Sequence, residues 1–350
     1  MSTTDAAAPA PAKRQHPWRG TKITLGILLA VILAVVGAMT LTPWPSAMLI
    51  RGVFEQGGAA TVAEMTPYVP DVDLHVDQAI PYADGGDPAT TMDVFSIADA
   101  GEKLPAVVWI HGGAWISGSS ANVDPYLRIL AAQGYTTIGV NYSIGPEQTY
   151  PTAVTQLNEA LAYISAHADE LRVDASRIVL AGDSAGAQLA SQIATMTTSP
   201  DYADLLGIAP ALTPDQLDGV ILNCGVSDLA NMAELQGLPA WGFKVALWAY
   251  TGSKDWSEKA AGTTMSTIEF VTEDFPPTYI SGGNGDGLTW LQSIPMSQRL
   301  EELDVPVTTL FWPASHEPQL PHEYQFHLDL ADAQDALAQT IDWLDATTAP

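Results

Sequence analysis

The sequence predicts an α/β fold whose mostly parallel, eight-stranded sheet is covered by helices on both faces. From about residue 105 onward, short apolar runs alternate with longer segments in which apolar residues recur at helical spacing. Strands joined by helices pair in parallel and are buried on both faces, so their sequences are continuously apolar rather than alternating. One long uncharged segment near the N-terminus also predicts a membrane helix ahead of this domain.

The N-terminal region has the features of a membrane anchor. Residues 1–22 are rich in alanine, proline and basic side chains, and we expect a disordered cytoplasmic tail. Residues 23–41 contain no charge and are long enough to cross a bilayer as a helix, with Trp18 and Trp44 at interfacial depth. Basic residues precede the segment, which predicts an extracytoplasmic domain at the cell membrane. A cleaved signal peptide, with a cleavage site at 36–38, is the alternative, and it also exports the domain.

The rest of the chain divides into a linker and one domain. We expect residues 42–70 to form the linker, with short helices over 46–65, and residues 71–346 to form the domain. Strands are predicted at 72–82, 90–97, 106–110, 135–140, 178–181, 220–223, 278–281 and 305–311. Helices are predicted at 123–133, 152–171, 185–197, 295–303 and 333–346.

Two stretches interrupt the alternation of strands and helices. Residues 199–216 are polar and contain prolines, which predicts a loop. Residues 229–265 contain more aromatic side chains than a connector needs. We interpret this second stretch as a small helical cap over the carboxyl ends of the strands, and an ordinary core helix is the alternative.

Charge and cysteine content exclude several functions. The chain of 350 residues has a formal net charge of -27, and from residue 42 onward only nine basic residues face 39 acidic ones. Such a surface repels phosphates, so we expect the globular part to bind neither nucleic acid nor anionic headgroups.

Cys224 is the only cysteine, which excludes an intrachain disulfide and zinc sites built on cysteine pairs. We interpret Cys224 as a buried packing residue.

One serine lies between two glycines where an apolar strand gives way to an alanine-rich helix. The stretch RIVLAGDSAGAQLA, residues 177–190, puts Ser184 on that strand-to-helix turn, where small neighbours leave room for an exposed hydroxyl. This pattern predicts a nucleophile. Gly112 and Gly113 follow an earlier strand, so their N–H groups, with that of Ala185, are predicted to stabilise an oxyanion.

These motifs resemble a known family when they are taken together. The stretches that carry the resemblance are HGGAW at 111–115, NYSIGPEQTYP at 141–151, GDSAG at 182–186 and GGNGDGL at 282–288. They are similar to the α/β-hydrolase superfamily, and more closely to its esterases and lipases of the hormone-sensitive-lipase and carboxylesterase type, over roughly residues 70–345. The sequence departs from that pattern at Ala114, where many members have a third glycine, and at 143–145, which replaces an arginine-containing run.

A serine nucleophile needs a base and an acid that orients the base. In this fold the acid follows the serine in the chain and the histidine comes last. We predict Asp286 as the acid because it lies on a glycine-rich loop after a strand, with Asp228 as the alternative. The resemblance favours His322 as the base, because an aromatic residue and a final helix follow it; His316 and then His327 are the alternatives.

The predicted function is therefore a membrane-anchored serine hydrolase that cleaves small-molecule, lipid or glycan esters through an acyl-enzyme. An acyltransferase or a peptidase with the same triad, or a catalytically silent binding protein, are the alternatives. The sequence contains no phosphate loop, no dinucleotide fingerprint and no HExxH motif, so we expect no cofactor and no metal. The pairs at 316–317 and 322–323 are interpreted as parts of a solvated loop.

Overall fold

The computed structural model describes residue 7 and residues 17–98, 101–233 and 237–349. A single sheet has the strand order β1-β2-β4-β3-β5-β6-β7-β8. Its strands are β1 Leu74–Pro81, β2 Thr91–Ile97, β3 Leu104–Ile110, β4 Thr136–Val140, β5 Val173–Asp183, β6 Leu217–Asn223, β7 Thr278–Gly282 and β8 Val307–Phe311. β2 pairs antiparallel with β1 and β4, and the remaining pairs are parallel. The predicted mostly parallel, eight-stranded sheet is confirmed.

Helices cover both faces of this sheet. They are α1 Pro17–Leu41, α2 Trp44–Met65, α3 Asp124–Ala131, α4 Thr152–Ala166, α5 Ala185–Thr198, α6 Pro200–Leu206, α7 Leu229–Ala233, α8 Gly237–Thr251, α9 Ala260–Thr264, α10 Ile294–Glu302 and α11 Ala331–Thr347. One buried apolar cluster joins the sheet to α4, α5 and α10, and a second joins it to α3 and α11. The five predicted helices are present, although α4 ends five residues earlier than expected.

The central strand β5 shows how one short sequence contributes to both clusters. Ile178 and Leu180 belong to the first cluster, whereas Val179 and Ala181 belong to the second. Side chains alternate between the faces of a strand, so a continuously apolar run is buried on both sides. This burial holds the end of β5, where Ser184 follows, in a fixed position at the centre of the sheet.

The N-terminal helix α1 begins six residues before the predicted segment, so residues 17–22 are helical rather than disordered. The rest of the predicted tail lies outside the described residues, apart from residue 7. Residues 24–41 of α1 have a mean hydropathy of 2.5 and none of them is buried. The helix is thus long and apolar enough to cross a membrane, and a signal sequence has the same properties.

The linker is one continuous helix of 22 residues, not the short helices that we predicted. The glycine pair at 57–58 lies inside this helix; Gly57 has open space beside it, whereas Gly58 packs closely. A side chain on Gly58 would bring its Cβ within 2.3 Å of the Asn122 amide nitrogen. The missing side chain therefore lets α2 approach the loop that follows β3, while the helix itself runs on to Met65.

The prediction of a loop at 199–216 is also partly wrong, because α6 occupies the first half of this stretch. Pro200 is the first residue of α6, where its missing N–H costs nothing, and Gly207 ends the helix in the left-handed conformation. The prolines of this stretch were interpreted as features of a loop, whereas Pro200 begins a short helix.

The segment predicted as a cap contains α7, α8 and α9. Val245, Ala246 and Ala249 of α8 form a third apolar cluster with Ala47 and Ile50 of α2. The same cluster includes two residues of the loop after β3, Ala114 and Ile116. This cluster holds α2 and α8 together beside the carboxyl ends of the central strands. The assignment of residues 229–265 as a cap stays a prediction.

Arg51 adds polar contacts to that packing. Its guanidinium donates to the carbonyl oxygens of Ile116 and Gly145 at 2.6 and 2.7 Å. It also makes two hydrogen bonds with the Glu147 carboxylate, and this pairing lowers the pKa of Glu147. A planar guanidinium suits several acceptors in fixed directions, so Arg51 fastens α2 to the loops that follow β3 and β4.

Candidate active site

Ser184 occupies the sharp turn between β5 and α5. Its φ of +51° and ψ of -116° lie outside the regions that L-residues prefer, so the backbone there is strained. The Ser184 N–H donates to the carbonyl oxygen of Asn223 at the end of β6, which fixes the turn against the neighbouring strand. The hydroxyl is thereby held at the carboxyl edge of the sheet.

The glycine after this serine is required by close packing. A Cβ on Gly186 would lie 1.9 Å from the carbonyl oxygen of Ile110 and 2.6 Å from that of His111. Distances this short are steric clashes with backbone atoms, which cannot rotate away as a side chain can. The absence of a side chain therefore lets the start of α5 pass directly beneath the end of β3.

The structure brings the three residues predicted as a triad together. His322 Nε2 lies 3.0 Å from Ser184 Oγ, and His322 Nδ1 lies 2.7 Å from Asp286 Oδ2. The other carboxylate oxygen of Asp286 accepts the N–H of Leu288 at 2.9 Å, which orients the carboxylate. Asp286 is 6% exposed, so the carboxylate is shielded from solvent, whereas the His322 side chain is 35% exposed where it faces the cavity.

One side chain joins the two loops that carry Asp286 and His322. The Asn284 amide oxygen accepts the N–H of Leu320 at 2.9 Å, and its amide nitrogen donates to the carbonyl oxygen of His316, also at 2.9 Å. Gly285 donates its N–H to the carbonyl oxygen of Leu320. These contacts tie the loop after β7 to the loop after β8 and place the carboxylate opposite the imidazole.

The surroundings of His322 favour its charged form. Burial opposes protonation, but hydrogen bonds to Asp286 and Cys224 and the charges of Glu323 and Asp286 outweigh burial and raise its pKa well above 6.5. An imidazolium formed when the ring takes a proton from a hydroxyl would be stabilised by the same groups.

The alternative acids and bases lie elsewhere. His316 Nε2 is 3.2 Å from the Asp332 carboxylate, and its ring packs against Trp312. His327 Nδ1 lies 2.7 Å from the Glu64 carboxylate. Asp228 accepts backbone N–H groups at the start of α7. Each of these three side chains is thus engaged in a local contact that involves neither Ser184 nor His322.

The predicted oxyanion donors need one correction. The N–H of Gly112 donates to the Asp183 carboxylate at 2.8 Å, so it already has an acceptor and is not free for an oxyanion. In the described part of the chain, the N–H groups of Gly113, Ala114 and Ala185 have no protein acceptor. The free N–H groups of this loop therefore belong to Gly113 and Ala114, one residue later in the chain than the predicted Gly112 and Gly113.

The loop that carries these donors is strained. Gly113, Ala114 and Trp115 have φ values of +105°, +51° and +59°, which L-residues rarely adopt. The Gly113 carbonyl oxygen accepts the N–H groups of Ile116 and Ser117, which holds the turn. Trp115 is buried and donates its indole N–H to Gln188 at 3.1 Å. These contacts offset the strain and keep the donor loop rigid.

Two buried titratable groups lie beneath that loop. Burial lowers the pKa of His111 to about 4, so the ring, stacked on Tyr142, is neutral at physiological pH. Burial and the nearby charge of Glu323 raise the pKa of Asp183 well above its usual value. Asp183 also accepts the Trp109 indole N–H at 2.7 Å. Both groups hold the loop through hydrogen bonds to Gly112, and both also contribute to the lining of the cavity at Ser184.

A cavity of about 520 Å³ opens at Ser184 and His322. Its walls come from the donor loop, from the loop after β8 and from α2 and α8. Val53 and Phe54 of α2 and Phe243 of α8 provide apolar surface, and Glu64 of α2 provides a carboxylate. The cavity is thus large enough for a small-molecule ester and presents both apolar and polar surface to it.

Two groups of potential metal ligands occur among the described residues. One is Cys224 with Asp286 and His322, and the other is Glu64 with His327 and Asp329; within each group the ligand atoms lie within 4.8 Å of one another. In the first group, Asp286 and His322 are already hydrogen-bonded to each other, and in the second Glu64 and His327 are paired in the same way. Hydrogen bonds thus pair two of the three members of each group.

Several residues of the site were not predicted from the sequence. Cys224 was interpreted as packing, and it is fully buried, but its thiol contacts the base, and its Sγ accepts the N–H of Glu323 at 3.3 Å. The Glu323 carboxylate lies 3.6 Å from His322 Nε2. A signal was available, since Cys224 follows a predicted strand of the parallel sheet, whose carboxyl edge carries the site. Nothing in the sequence indicated that α2 forms a wall of the cavity.

Comparisons with curated proteins find named esterases among the similar sequences. Esterase LipC of Mycobacterium tuberculosis is 33% identical over 121 residues, which are 34% of this chain and 30% of that protein. Acetyl esterase of Salmonella paratyphi B is 42% identical over 83 residues, 23% of this chain and 26% of that protein. The chain thus spans about a third or less of the length of these curated relatives.

Solved structures match over most of the chain. Esterase B from Lactobacillus rhamnosis has a TM-score of 0.74 at 24% identity, covering 87% of this chain and 96% of that one. A bacterial heroin esterase has a TM-score of 0.68 at 23% identity, covering 90% and 97%. These likenesses show the shared α/β-hydrolase fold.

The model of the BD-FAE family matches residues 92–300, a stretch that contains both Ser184 and Asp286. Because this match covers more than half of the chain, the protein belongs to the BD-FAE family.

Proposed function

We propose that this protein hydrolyses carboxylic esters, with Ser184 as nucleophile, His322 as general base and then general acid, and Asp286 as the residue that orients the imidazole. The single observation that carries the proposal is the hydrogen-bonded chain from Ser184 through His322 to Asp286 at the mouth of a cavity. The names of the relatives, which include esterases and an acetyl esterase, support the same class of reaction.

The first half of the reaction forms an acyl-enzyme. Ser184 Oγ attacks the ester carbonyl carbon while His322 Nε2 takes the hydroxyl proton, and the carbonyl oxygen becomes an oxyanion. The free N–H groups of Gly113, Ala114 and Ala185 stabilise that oxyanion, each by about 3 kcal/mol. When the intermediate collapses, the ester C–O bond breaks and His322 returns the proton to the departing alcohol oxygen.

The second half releases the acid. A water molecule attacks the acyl carbon while His322 takes one of its protons, and a second oxyanion forms at the same donors. Its collapse breaks the bond to Ser184 Oγ, which receives the proton from His322, and the carboxylic acid departs. Asp286 keeps the imidazole proton on Nδ1 throughout, because its carboxylate can only accept there.

We also propose that α1 anchors the protein in the cell membrane, with the N-terminus in the cytoplasm and the hydrolase outside. The length and hydropathy of α1 and the basic residues before its apolar segment support this orientation. Because a cleaved signal peptide would remove α1, the mass of the mature protein from membranes distinguishes the two cases.

The test uses the full chain in detergent with p-nitrophenyl acetate and longer acyl esters. We expect hydrolysis by the wild type and covalent labelling by a fluorophosphonate, and loss of both in Ser184→Ala. Ser257→Ala is the matched control, because this serine is exposed on the segment between α8 and α9, and both signals should survive there. A folded wild type that neither hydrolyses these esters nor is labelled would contradict the proposal.

A further inference from the structure

The half of α2 nearest to the anchor presents an uncovered apolar face. Trp44, Met48, Leu49 and Val53 are all exposed and, at helical spacing, lie on the side opposite the buried Ala47 and Ile50. The four exposed residues, together with Trp241 of α8, are called the docking face below. Burying so many large apolar side chains against a partner is favourable, and a face of this kind marks an interaction surface.

The docking face continues directly from α1. Only Thr42 and Pro43 separate the last residue of α1 from Trp44, and the exposed apolar side chains of α1 extend to Leu41. The side chain of Lys254 donates to the carbonyl oxygen of Thr40 in α1, so the region after α8 also lies against the end of the anchor. A bilayer that holds α1 therefore brings its surface next to both α2 and α8.

The edge of α8 has the composition of a membrane interface. Trp241, Lys244 and Trp248 recur at helical spacing, and Lys254 Nζ lies 4.4 Å from the centre of the Trp248 ring. Tryptophan and lysine are favoured at the headgroup level, where the ring or stem is apolar and the tip is polar. These two lysines are basic exceptions on a strongly acidic domain, so at this edge they oppose the repulsion from headgroup phosphates that we expect of the rest of the domain.

The docking face also reaches the active-site cavity. Val53 and Phe54 are exposed and at the same time line the cavity that contains Ser184. Phe243 of α8 lines the same part of the cavity. An apolar path therefore leads from the docking face to the nucleophile.

We propose that the docking face rests on the bilayer that α1 enters, and that the substrate is a lipid ester whose hydrocarbon chain passes from this bilayer into the cavity. This inference rests on the proposed ester hydrolysis and on α1 as an anchor. The bilayer is favoured over a second copy of the chain because the docking face begins at the anchor itself and the adjoining edge of α8 combines tryptophan with lysine.

The first test compares two esters and uses the full chain in vesicles of phosphatidylcholine and phosphatidylglycerol. One ester is a long-chain diacylglycerol in the vesicles and the other is p-nitrophenyl acetate in the water. We expect Leu49→Glu to slow diacylglycerol hydrolysis about tenfold and to leave p-nitrophenyl acetate hydrolysis within about twofold, because a carboxylate is unfavourable in the interface. The control is Leu205→Glu on α6, which is 56% exposed, against 58% for Leu49, and both rates should remain unchanged.

The two proposals fail in different ways. Hydrolysis of p-nitrophenyl acetate without any hydrolysis of the diacylglycerol overturns the lipid ester and leaves the esterase. Equal effects of Leu49→Glu on both esters, or an effect on neither, also overturn it. Failure of the wild type on both esters contradicts the proposed function, and the docking face is then judged by the second test.

The second test measures docking without any reaction. Met48→Cys carries an environment-sensitive nitrobenzoxadiazole label, and Cys224 is fully buried and stays unlabelled. In the same vesicles, we expect a nitroxide on the lipid chains to quench the label at 48 and to leave a label at Leu205→Cys unquenched. A label at 48 that remains in water overturns the proposal. A label that is shielded but not quenched by lipid indicates a second copy of the chain and overturns it as well.

Discussion

Replacing Asp286 with asparagine tests the proposed triad at the residue that orients the imidazole. In the wild type, Asp286 Oδ1 accepts the N–H of Leu288 while Oδ2 faces His322 Nδ1 at 2.7 Å. The Leu288 N–H needs an acceptor, so it fixes the asparagine oxygen at the Oδ1 position. The asparagine NH₂ then faces Nδ1 and donates to it, which moves the imidazole proton to Nε2, opposite the Ser184 hydroxyl.

An imidazole in that tautomer cannot accept the serine proton. The same change in a Ser-His-Asp site lowers kcat by about 10⁴, which corresponds to about 5 kcal/mol. We therefore expect kcat/KM for p-nitrophenyl acetate to fall about 10⁴-fold in Asp286→Asn, with a melting temperature near that of the wild type. Asp228→Asn is the matched control, since Asp228 only accepts N–H groups at the start of α7, and its activity should stay within about twofold.

The pH profile gives an independent readout. Activity requires the neutral ring, and the pKa of His322 is raised well above 6.5, so wild-type kcat/KM should rise with pH through that raised value. Asp286→Asn removes a hydrogen bond and a charge that raise this pKa, so the residual activity should appear at lower pH. The reasoning is refuted if Asp286→Asn keeps more than about a tenth of wild-type kcat/KM and an unchanged profile.

Three further predictions concern the frame of the site. Arg51→Ala removes hydrogen bonds worth about 1.5–3 kcal/mol each, so protease cleavage within α2 should accelerate at least tenfold, and Arg51→Lys should not restore the forked contacts. Cleavage at the wild-type rate would mean that apolar packing alone holds α2. Gly186→Ala puts a Cβ 1.9 Å from a backbone oxygen of β3, so thermal melts should show a loss of about 3 kcal/mol or more, whereas Gly242→Ala, with open space at its Cβ, should be neutral or stabilising. An unchanged melt for Gly186→Ala would contradict the packing argument. His322→Ala should reduce ester hydrolysis at least about 10³-fold and His316→Ala by no more than about threefold, and the reverse result would move the base to His316.

The sequence predicted the parts of the site that depend on local chain geometry. The run at 178–181 is apolar at every position, which a strand buried on both faces requires, and the alanine-rich run after Ser184 has helical spacing. A serine between two glycines at such a junction needs the sharp turn that the structure has. These features arise from neighbours in the chain, so the sequence contains them directly.

Features that depend on contacts between distant loops could not be derived in this way. Three histidines lie between β8 and the final helix, and the contacts of Asn284 with both loops help to decide which of them faces Asp286. The Gly112 N–H is occupied because the buried carboxylate of Asp183 lies against it, although the two residues are 71 positions apart. Neither contact has a periodicity or a spacing that a sequence pattern could reveal.

The role of α2 depends most on the tertiary structure. From local propensity alone, Gly57 and Gly58 favour a break in the helix, since each glycine lowers helix stability by about 1 kcal/mol. The packing of Gly58 against the loop after β3 and the third apolar cluster outweigh that cost and lay α2 along the cavity. By itself the sequence determined the sheet, the strained turn at Ser184 and the apolar N-terminal helix. Only the tertiary structure decided which histidine, which N–H groups and which helix surround that serine, because long-range packing between separate loops selects among choices that are equivalent along the chain.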